Sequence, residues 1–239
     1  MSALVTVSVV SHRQNNLVNQ LGGDLERFCG ERLPVIVTQN VADPVALNSF
    51  ALPVEVIVNP APKGFGANHN AAFRRCRTPF FCVMNPDVRL RADPFPALAR
   101  ALMDERAGVV GPLVRNPAGE VEDSARRFPT VRSLLRKLFV ASSGPDYPGQ
   151  GEAMRVDWIA GMCMLFRTER FAAVGGFDER YFLYYEDVDI CRRLQGLGSC
   201  VLYEPRVEVV HDARRSSRRD LRMALHHARS LFRYFTSAP

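Results

Sequence analysis

Four short apolar runs punctuate the N-terminal part of the chain: "LVTVSVV" (4–10), "PVIVT" (34–38), "VEVIV" (54–58) and "FFCVM" (80–84). Their length and β-branched content predict strands. Helical periodicity appears between them, in "NNLVNQLGGDLERFC" and from Gly66 to Arg75. Alternating strand and helix predicts an α/β fold: a mixed, mainly parallel central sheet flanked by helices. From about residue 108 the pattern changes. "GVVGPLV", "VDWIAGMCMLFR" and "CVLYEP" predict further strands mixed with short helices, added beside the first sheet. "ASSGPDYPGQGEA" (141–153) reads as a flexible loop near a site. A last helix is predicted in "RRDLRMALHHARSLFRYF", where Leu221, Leu225, Ala228, Phe232 and Phe235 form one apolar stripe beside a second of Arg222, His226, Arg229 and Arg233. The apolar stripe is expected to dock on the domain. The arginines are then solvated or face an anionic membrane.

Composition narrows the class. A chain of 239 residues with 47% hydrophobic and 23% charged residues suits one globular domain with a terminal appendage. No apolar stretch approaches the roughly 18 residues a membrane span needs. The N-terminus has no basic region of the signal-peptide kind, so a cytoplasmic address is expected. Six scattered cysteines without a CxxC pair read as buried free thiols rather than disulfides or a zinc site. A net charge of +6 favours anionic partners, and much of the excess lies in Arg214, Arg215, Arg218, Arg219, Arg222, Arg229 and Arg233.

Three stretches could carry chemistry. In "NPAPKGFGANHNAAF" (59–73), Gly64 and Gly66 lie between a strand and a helix, where backbone can approach a phosphate. The dinucleotide and P-loop fingerprints both fail there, and an ordinary loop is an equal reading. In "FFCVMNPDVRL" a strand runs into Asn85-Pro86-Asp87, a place where ligands bind in open α/β sheets. Asp87 reads there either as a cation ligand facing a diphosphate or as a solvated turn residue. In "YYEDVDICRR" a helix starting near Glu186 puts Asp187 on the inward face with Ile190, Cys191 and Leu194. Asp189 then pairs with Arg192 and Arg193. An inward carboxylate at a helix start, beside "GGFDERYFLYY", has the placement of a general base lining a cleft.

The ordered set "VTVSVVSH", "NPAPKGFGANHNAAF", "NPDVRL", "GGFDERYFLYYEDVDICRRL" and His211 after "VEVV" resembles family 2 glycosyltransferases of the GT-A fold, particularly bacterial rhamnosyltransferase-like members. The resemblance implies a GT-A catalytic domain over residues 1–212, with a donor half to about 115 and an acceptor half from 116, followed by a basic amphipathic helix over 213–239. It implies Asp187 as general base, paired with Glu186, and a Mg²⁺ or Mn²⁺ ion on Asp87 and His211. Ser11, Asn40, Gly64, Asn70 and Asp87 fall where relatives bind the donor nucleotide. Trp158, Gly175, Gly176, Phe177 and Asp178 fall where relatives meet the acceptor. Two places depart from the family pattern: Gln39-Asn40 stands for the usual Asp-Asn pair, and the first strand ends in Ser11-His12-Arg13.

The implied partners are a nucleotide-diphosphate sugar, with deoxythymidine-diphosphate rhamnose favoured, and a glycan or lipid-linked acceptor at the inner face of the membrane; no nucleic acid is expected. Other readings are weaker. A sugar-phosphate nucleotidyltransferase would carry glycines after its first strand, and "SHRQNNL" has none. A nucleic-acid or anionic-surface binding module rests only on arginines that are periodic on one helix. A catalytically dead relative would not need both Asp87 and Asp187. Adjacent His226 and His227 read as helix surface and flank, and His12 and His69 as hydrogen-bonding loop residues.

Overall fold

The computed structural model describes residues 4–133, 145–212 and 221–237, with the side chains at 221 and 222 outside that description. The expected strands form at β1 (Val5–His12), β2 (Val35–Val41), β3 (Val54–Val58) and β4 (Phe80–Met84), followed by β5 (Val88–Arg89), β6 (Ala107–Arg115) and β7 (Ala125–Arg126). "VDWIAGMCMLFR" and its approach break into three pieces, β8 (Met154–Val156), β9 (Trp158–Ile159) and β10 (Cys163–Arg167). The last strand, β11 (Cys200–His211), runs well past the expected "CVLYEP". Its pairing with β6 shifts register between Glu204 and Glu208, which absorbs Pro205 and lets the strand continue to His211. The helices are α1 (Asn15–Cys29), α2 (Phe65–Phe73), α3 (Phe95–Ala101), α4 (Thr168–Ala173), α5 (Glu186–Gly196) and α6 (Leu221–Thr236).

The main sheet has the order β3-β2-β1-β4-β10-β6-β11, with β5 and β8 pairing opposite ends of β11. β1 to β4 are parallel, as are β6 and β11, while β10 runs antiparallel between β4 and β6. The strand period of two sorts side chains between two cores. Phe80, Cys82 and Met84 of β4 join Leu21, Leu25 and Leu98 on one face, whereas Phe81 and Val83 join Phe166, Phe171 and Leu194 on the other. Because the parallel strands point the same way, the ends of β1, β4, β6 and β11 gather at one edge.

The cysteines are free, and five of the six are buried. Residues 145–153 of the expected loop hold no helix or strand, while 141–144 and the arginines at 214, 215, 218 and 219 lie outside the described residues. Among the described residues, no helix is long and apolar enough to cross a membrane.

The expectation for the last helix is reversed. Leu225, Phe232 and Phe235 are 58%, 71% and 40% exposed, so the apolar stripe faces away from the domain. The docked face carries His226, Ser230 and Tyr234 instead. The receiving surface explains this, because segment 181–185 offers aromatic rings and a carbonyl rather than an aliphatic groove. His226 stacks on Phe182 at 4.7 Å, His227 packs against Tyr184 and Tyr185, and Tyr234 lies 5.5 Å from Tyr185. Ser230 Oγ donates to the Leu183 carbonyl at 2.8 Å. The two histidines are therefore a docking element.

Candidate active site

The helix α5 begins at Glu186, as its sequence predicts, but its approach is unusual. Tyr184 and Tyr185 both adopt left-handed backbone, at φ 71° and 69°. Two consecutive bulky residues there store on the order of 1–3 kcal/mol each, and such strain persists only when its surroundings hold it. Tyr234 and His227 of α6 do the holding.

The strained turn delivers two carboxylates at a helix N-terminus, where the macrodipole favours negative charge. Asp187 is half-buried. Its Oδ2 accepts from the Gly161 amide at 3.0 Å and its Oδ1 from the Val188 amide at 2.9 Å. Each oxygen keeps a further lone pair for a substrate proton. Ile190, Cys191 and Leu194, which share its predicted face, are fully buried. Glu186 lies deeper, 5% exposed, and its Oε2 has no hydrogen-bond partner. Asp189 makes the expected ion pairs, 2.7 Å to Arg193 and 3.6 Å to Arg192, although at 3% exposure it is buried rather than solvated.

Burial, and then the charge of Asp187, push the Glu186 carboxyl well above the usual carboxylate range. Burial also raises Asp187, against the pull of the Gly161 and Val188 amides. The folded state thus binds a proton here more tightly than the unfolded chain does. Stability is lost as pH rises from the ordinary carboxylate range through the raised one. Glu186→Gln is expected to stabilise the protein at pH 8 by on the order of 1–3 kcal/mol, the scale of an unpaired buried polar group. The gain should vanish near pH 4. Denaturant unfolding at the two pH values checks this, and an equal difference at both would contradict it.

The second acid group sits at the end of β4. Asp87 is not solvated, since its side chain is only 15% exposed. Its Oδ1 lies 3.3 Å from His211 Nε2, and His211 Nδ1 lies 2.8 Å from Glu122 Oε2. The backbone ties the pieces together, because the Asp212 amide donates to the Asp87 carbonyl at 3.0 Å. Burial opposes a charge on His211, but the Asp87 and Glu122 carboxylates outweigh it and raise the imidazole above its ordinary range. Glu122 is not marked by the sequence pattern. It belongs to no motif, and only the pairing of segment 121–126 with β6 and β9 brings it here.

Among the described residues no group of three or more His, Cys, Asp or Glu side chains forms a ready metal cage. The pair Asp87 and His211 nevertheless fits a cation: Asp87 Oδ1 is buried without a hydrogen-bond donor, and a carboxylate on Nδ1 is the usual device for presenting Nε2 as a ligand.

One linker joins the two acid groups. In segment 160–162 the Gly161 amide holds Asp187, while the Met162 carbonyl accepts from the Asn85 amide at 2.9 Å. The Ala160 amide also donates to the Ser124 carbonyl, two residues beyond Glu122.

The remaining expected site residues are committed inside the protein. Ser11 Oγ donates to Asn15 Oδ1 at 2.6 Å and accepts from the Gln14 amide. Asn40 clamps the Lys63 backbone from both sides, at 2.7 Å and 2.9 Å. Asn70 clamps the Phe177 backbone in the same way, at 2.8 Å and 2.9 Å. A Cβ on Gly64 would stand 2.7 Å from the Phe182 carbonyl oxygen, and one on Gly176 2.4 Å from Asn70 Oδ1. The glycines thus let the chain approach itself. That revises the reading in which Gly64 leaves room for a ligand, and the side chains of Ser11, Asn40 and Asn70 serve here as clamps. His69, expected in a loop, is buried in α2 and bonds Ser8 Oγ at 2.8 Å, with burial pushing its pKa down to about 3.

The acceptor-side residues follow suit. Gly175 and Gly176 take positive φ, and Phe177 is buried among Phe65, Phe166 and Phe171. Asp178 is bound by Arg180 at 2.6 Å. Trp158 is 8% exposed, with its indole N–H donating to the Arg127 carbonyl and Arg126 5.4 Å from its ring. Its ring is packed into the protein rather than presented to solvent.

Against this geometry, residues 4–229 match the family described as "Glycosyltransferase like family 2". The chain belongs to that family. A Mycobacterium tuberculosis N-acetylglucosaminyl-diphospho-decaprenol L-rhamnosyltransferase is 40% identical over 61% of this chain, which spans 51% of that relative. Rhamnosyltransferase WbbL of Escherichia coli strain K12 is 28% identical over 97% of this chain and 92% of its own length. Among solved structures, the Pyrobaculum calidifontis mannosyltransferase PcManGT, in complex with GDP-Man and Mn²⁺, superposes with a TM-score of 0.66 at 16% identity, covering 100% of this chain and 66% of that one. GalNAc-T7 with UDP, GalNAc and Mn²⁺ gives 0.67 at 13% identity, covering 89% of this chain and 44% of that one. The fold is therefore of the GT-A type, and this family 2 member has relatives named as rhamnosyltransferases.

Proposed function

We propose that this glycosyltransferase moves a sugar, with rhamnose the leading candidate, from a nucleotide diphosphate to a glycan or lipid-linked acceptor by inverting displacement. The observation that carries the reading is the single linker over 160–162, which holds the Asp187 carboxylate and the Asp87 turn on adjacent backbone groups. Asp187, aimed by the Gly161 and Val188 amides, takes the proton of an acceptor hydroxyl. The hydroxyl oxygen forms its bond to the anomeric carbon from one side. The bond to the diphosphate oxygen breaks on the other, and the electron pair leaves with the diphosphate. Burial and the neighbouring Asp187 charge favour the protonated form of Glu186, and Asp187 is the carboxylate assigned here as base.

Asp87 and His211, with Glu122 behind, would hold Mg²⁺ or Mn²⁺. A divalent cation offsets the charge of a departing diphosphate. Ser11, Asn40, Gly64 and Asn70 shape the donor side, with the nucleotide meeting their backbone and the loop they clamp. Gly175 to Asp178 and Trp158 shape the acceptor side. The relatives named for rhamnose and for a diphospho-decaprenol acceptor support this choice, as does the end-of-strand placement of Asp87. Work on a lipid-linked acceptor places the protein in the cytoplasm, at the inner face of the membrane.

Thermal unfolding with a panel of nucleoside diphosphates and nucleotide sugars, with and without Mn²⁺, tests the reading. One nucleotide should raise the melting temperature only when the cation is present. A uniform response across the panel would contradict it.

A further inference from the structure

A cleft of about 800 Å³ opens between α6 and the segment that leads into Glu186. Arg180, Phe182, His226, Arg229, Ser230 and Arg233 line it, and among the described residues no acidic side chain does. Arg180 is engaged by Asp178, and the Arg233 guanidinium lies 5.9 Å from the Tyr181 ring. Among the described residues no carboxylate pairs with Arg229 or Arg233. Arg229 and Arg233 thus bring cationic charge that no carboxylate among the described residues balances, and such arginine forks are suited to phosphate oxygens.

Its rim is apolar. Phe232 lines the cleft and is 71% exposed, and Leu225 and Phe235 continue the same face of α6. A stripe of this kind left uncovered on a monomer marks an interaction surface. Cationic floor and apolar rim together fit an anionic amphiphile, with its head between the arginines and its hydrocarbon along α6. One wall of the cleft, Arg180 and Phe182, belongs to the segment that leads into the carboxylates of α5.

We infer that this cleft binds the phosphate or diphosphate of a lipid-linked acceptor, with the Leu225, Phe232 and Phe235 stripe receiving its hydrocarbon. The inference rests on the transferase reading above and adds to it the place where the acceptor's lipid end is held.

The test uses the full chain and farnesyl diphosphate as probe, with farnesol, inorganic pyrophosphate and phosphatidylglycerol vesicles as comparison arms. Calorimetry should show farnesyl diphosphate binding more tightly than pyrophosphate, and farnesol not at all. The double variant Arg229→Gln, Arg233→Gln should weaken probe binding by roughly tenfold or more, the scale of lost charge-assisted contacts. Phe232→Ser should weaken farnesyl diphosphate but not pyrophosphate. Binding of a nucleoside diphosphate with Mn²⁺ should be unchanged in all variants, which also shows that they fold.

Probe binding unaltered by the arginine changes would overturn the inference, as would displacement of the probe by the nucleotide. Vesicle binding that depends on the arginines while probe binding does not would make this face a bilayer contact and equally overturn it. Failure of the parent to bind any nucleoside diphosphate would count against the transferase reading, and leaves the cleft measurement readable by itself.

Discussion

Asp187→Asn is expected to cut turnover by roughly 10²-fold or more, the usual scale for loss of a general base, while nucleotide affinity stays within about twofold of the parent. The amide side chain can still accept from Gly161 through its oxygen, so the linker and the head of α5 stay in place. What is lost is the lone pair that takes the acceptor proton. Glu186→Gln should reduce turnover far less, because Glu186 is buried and has no access to a hydroxyl in the cleft. Steady-state transfer assays on the two folded variants decide the order. A larger loss in Glu186→Gln would move the base to Glu186.

The second large effect concerns Asp87. Asp87→Ala should weaken Mn²⁺-dependent nucleotide binding by roughly 10²-fold or more, since it removes the carboxylate that faces His211. Glu122→Gln should weaken it by about tenfold, the lower end of what loss of a residue orienting a histidine ligand costs. Gln can still hold Nδ1 through its carbonyl oxygen but carries no charge. Electron paramagnetic resonance of free Mn²⁺ reads both effects without an activity assay. If Asp87→Ala held the ion as tightly as the parent, the cation would have to sit elsewhere.

Most of the architecture can be read along the chain because it depends on local periodicity. β1 to β4 announce themselves as apolar runs, and α5 starts at the residue where its acids begin. The carboxylates were legible for the same reason: Asp87 follows a strand and Asp187 shares a helical face with Ile190, Cys191 and Leu194. Three things were not legible. Glu122 joins His211 only through the pairing of distant segments, 89 residues apart in sequence. The backbone partners of Asn40 and Asn70, Lys63 and Phe177, are not marked by any local pattern. α6 follows its predicted period but docks its aromatic and polar face, because the partner surface is a turn of tyrosines. A helical wheel describes one surface, and docking depends on two.

The central claim is that one reaction joins the carboxylate at Asp187 to a diphosphate held near Asp87. It is tested most directly by following transfer of labelled rhamnose from deoxythymidine-diphosphate rhamnose to a prenyl-diphosphate-linked N-acetylglucosamine, with the product's anomeric configuration read by NMR. Product is expected only when Mg²⁺ or Mn²⁺ is present, with the configuration opposite to the donor's, and almost none from Asp187→Asn. Product of retained configuration, or equal product from the parent and Asp187→Asn, would contradict it.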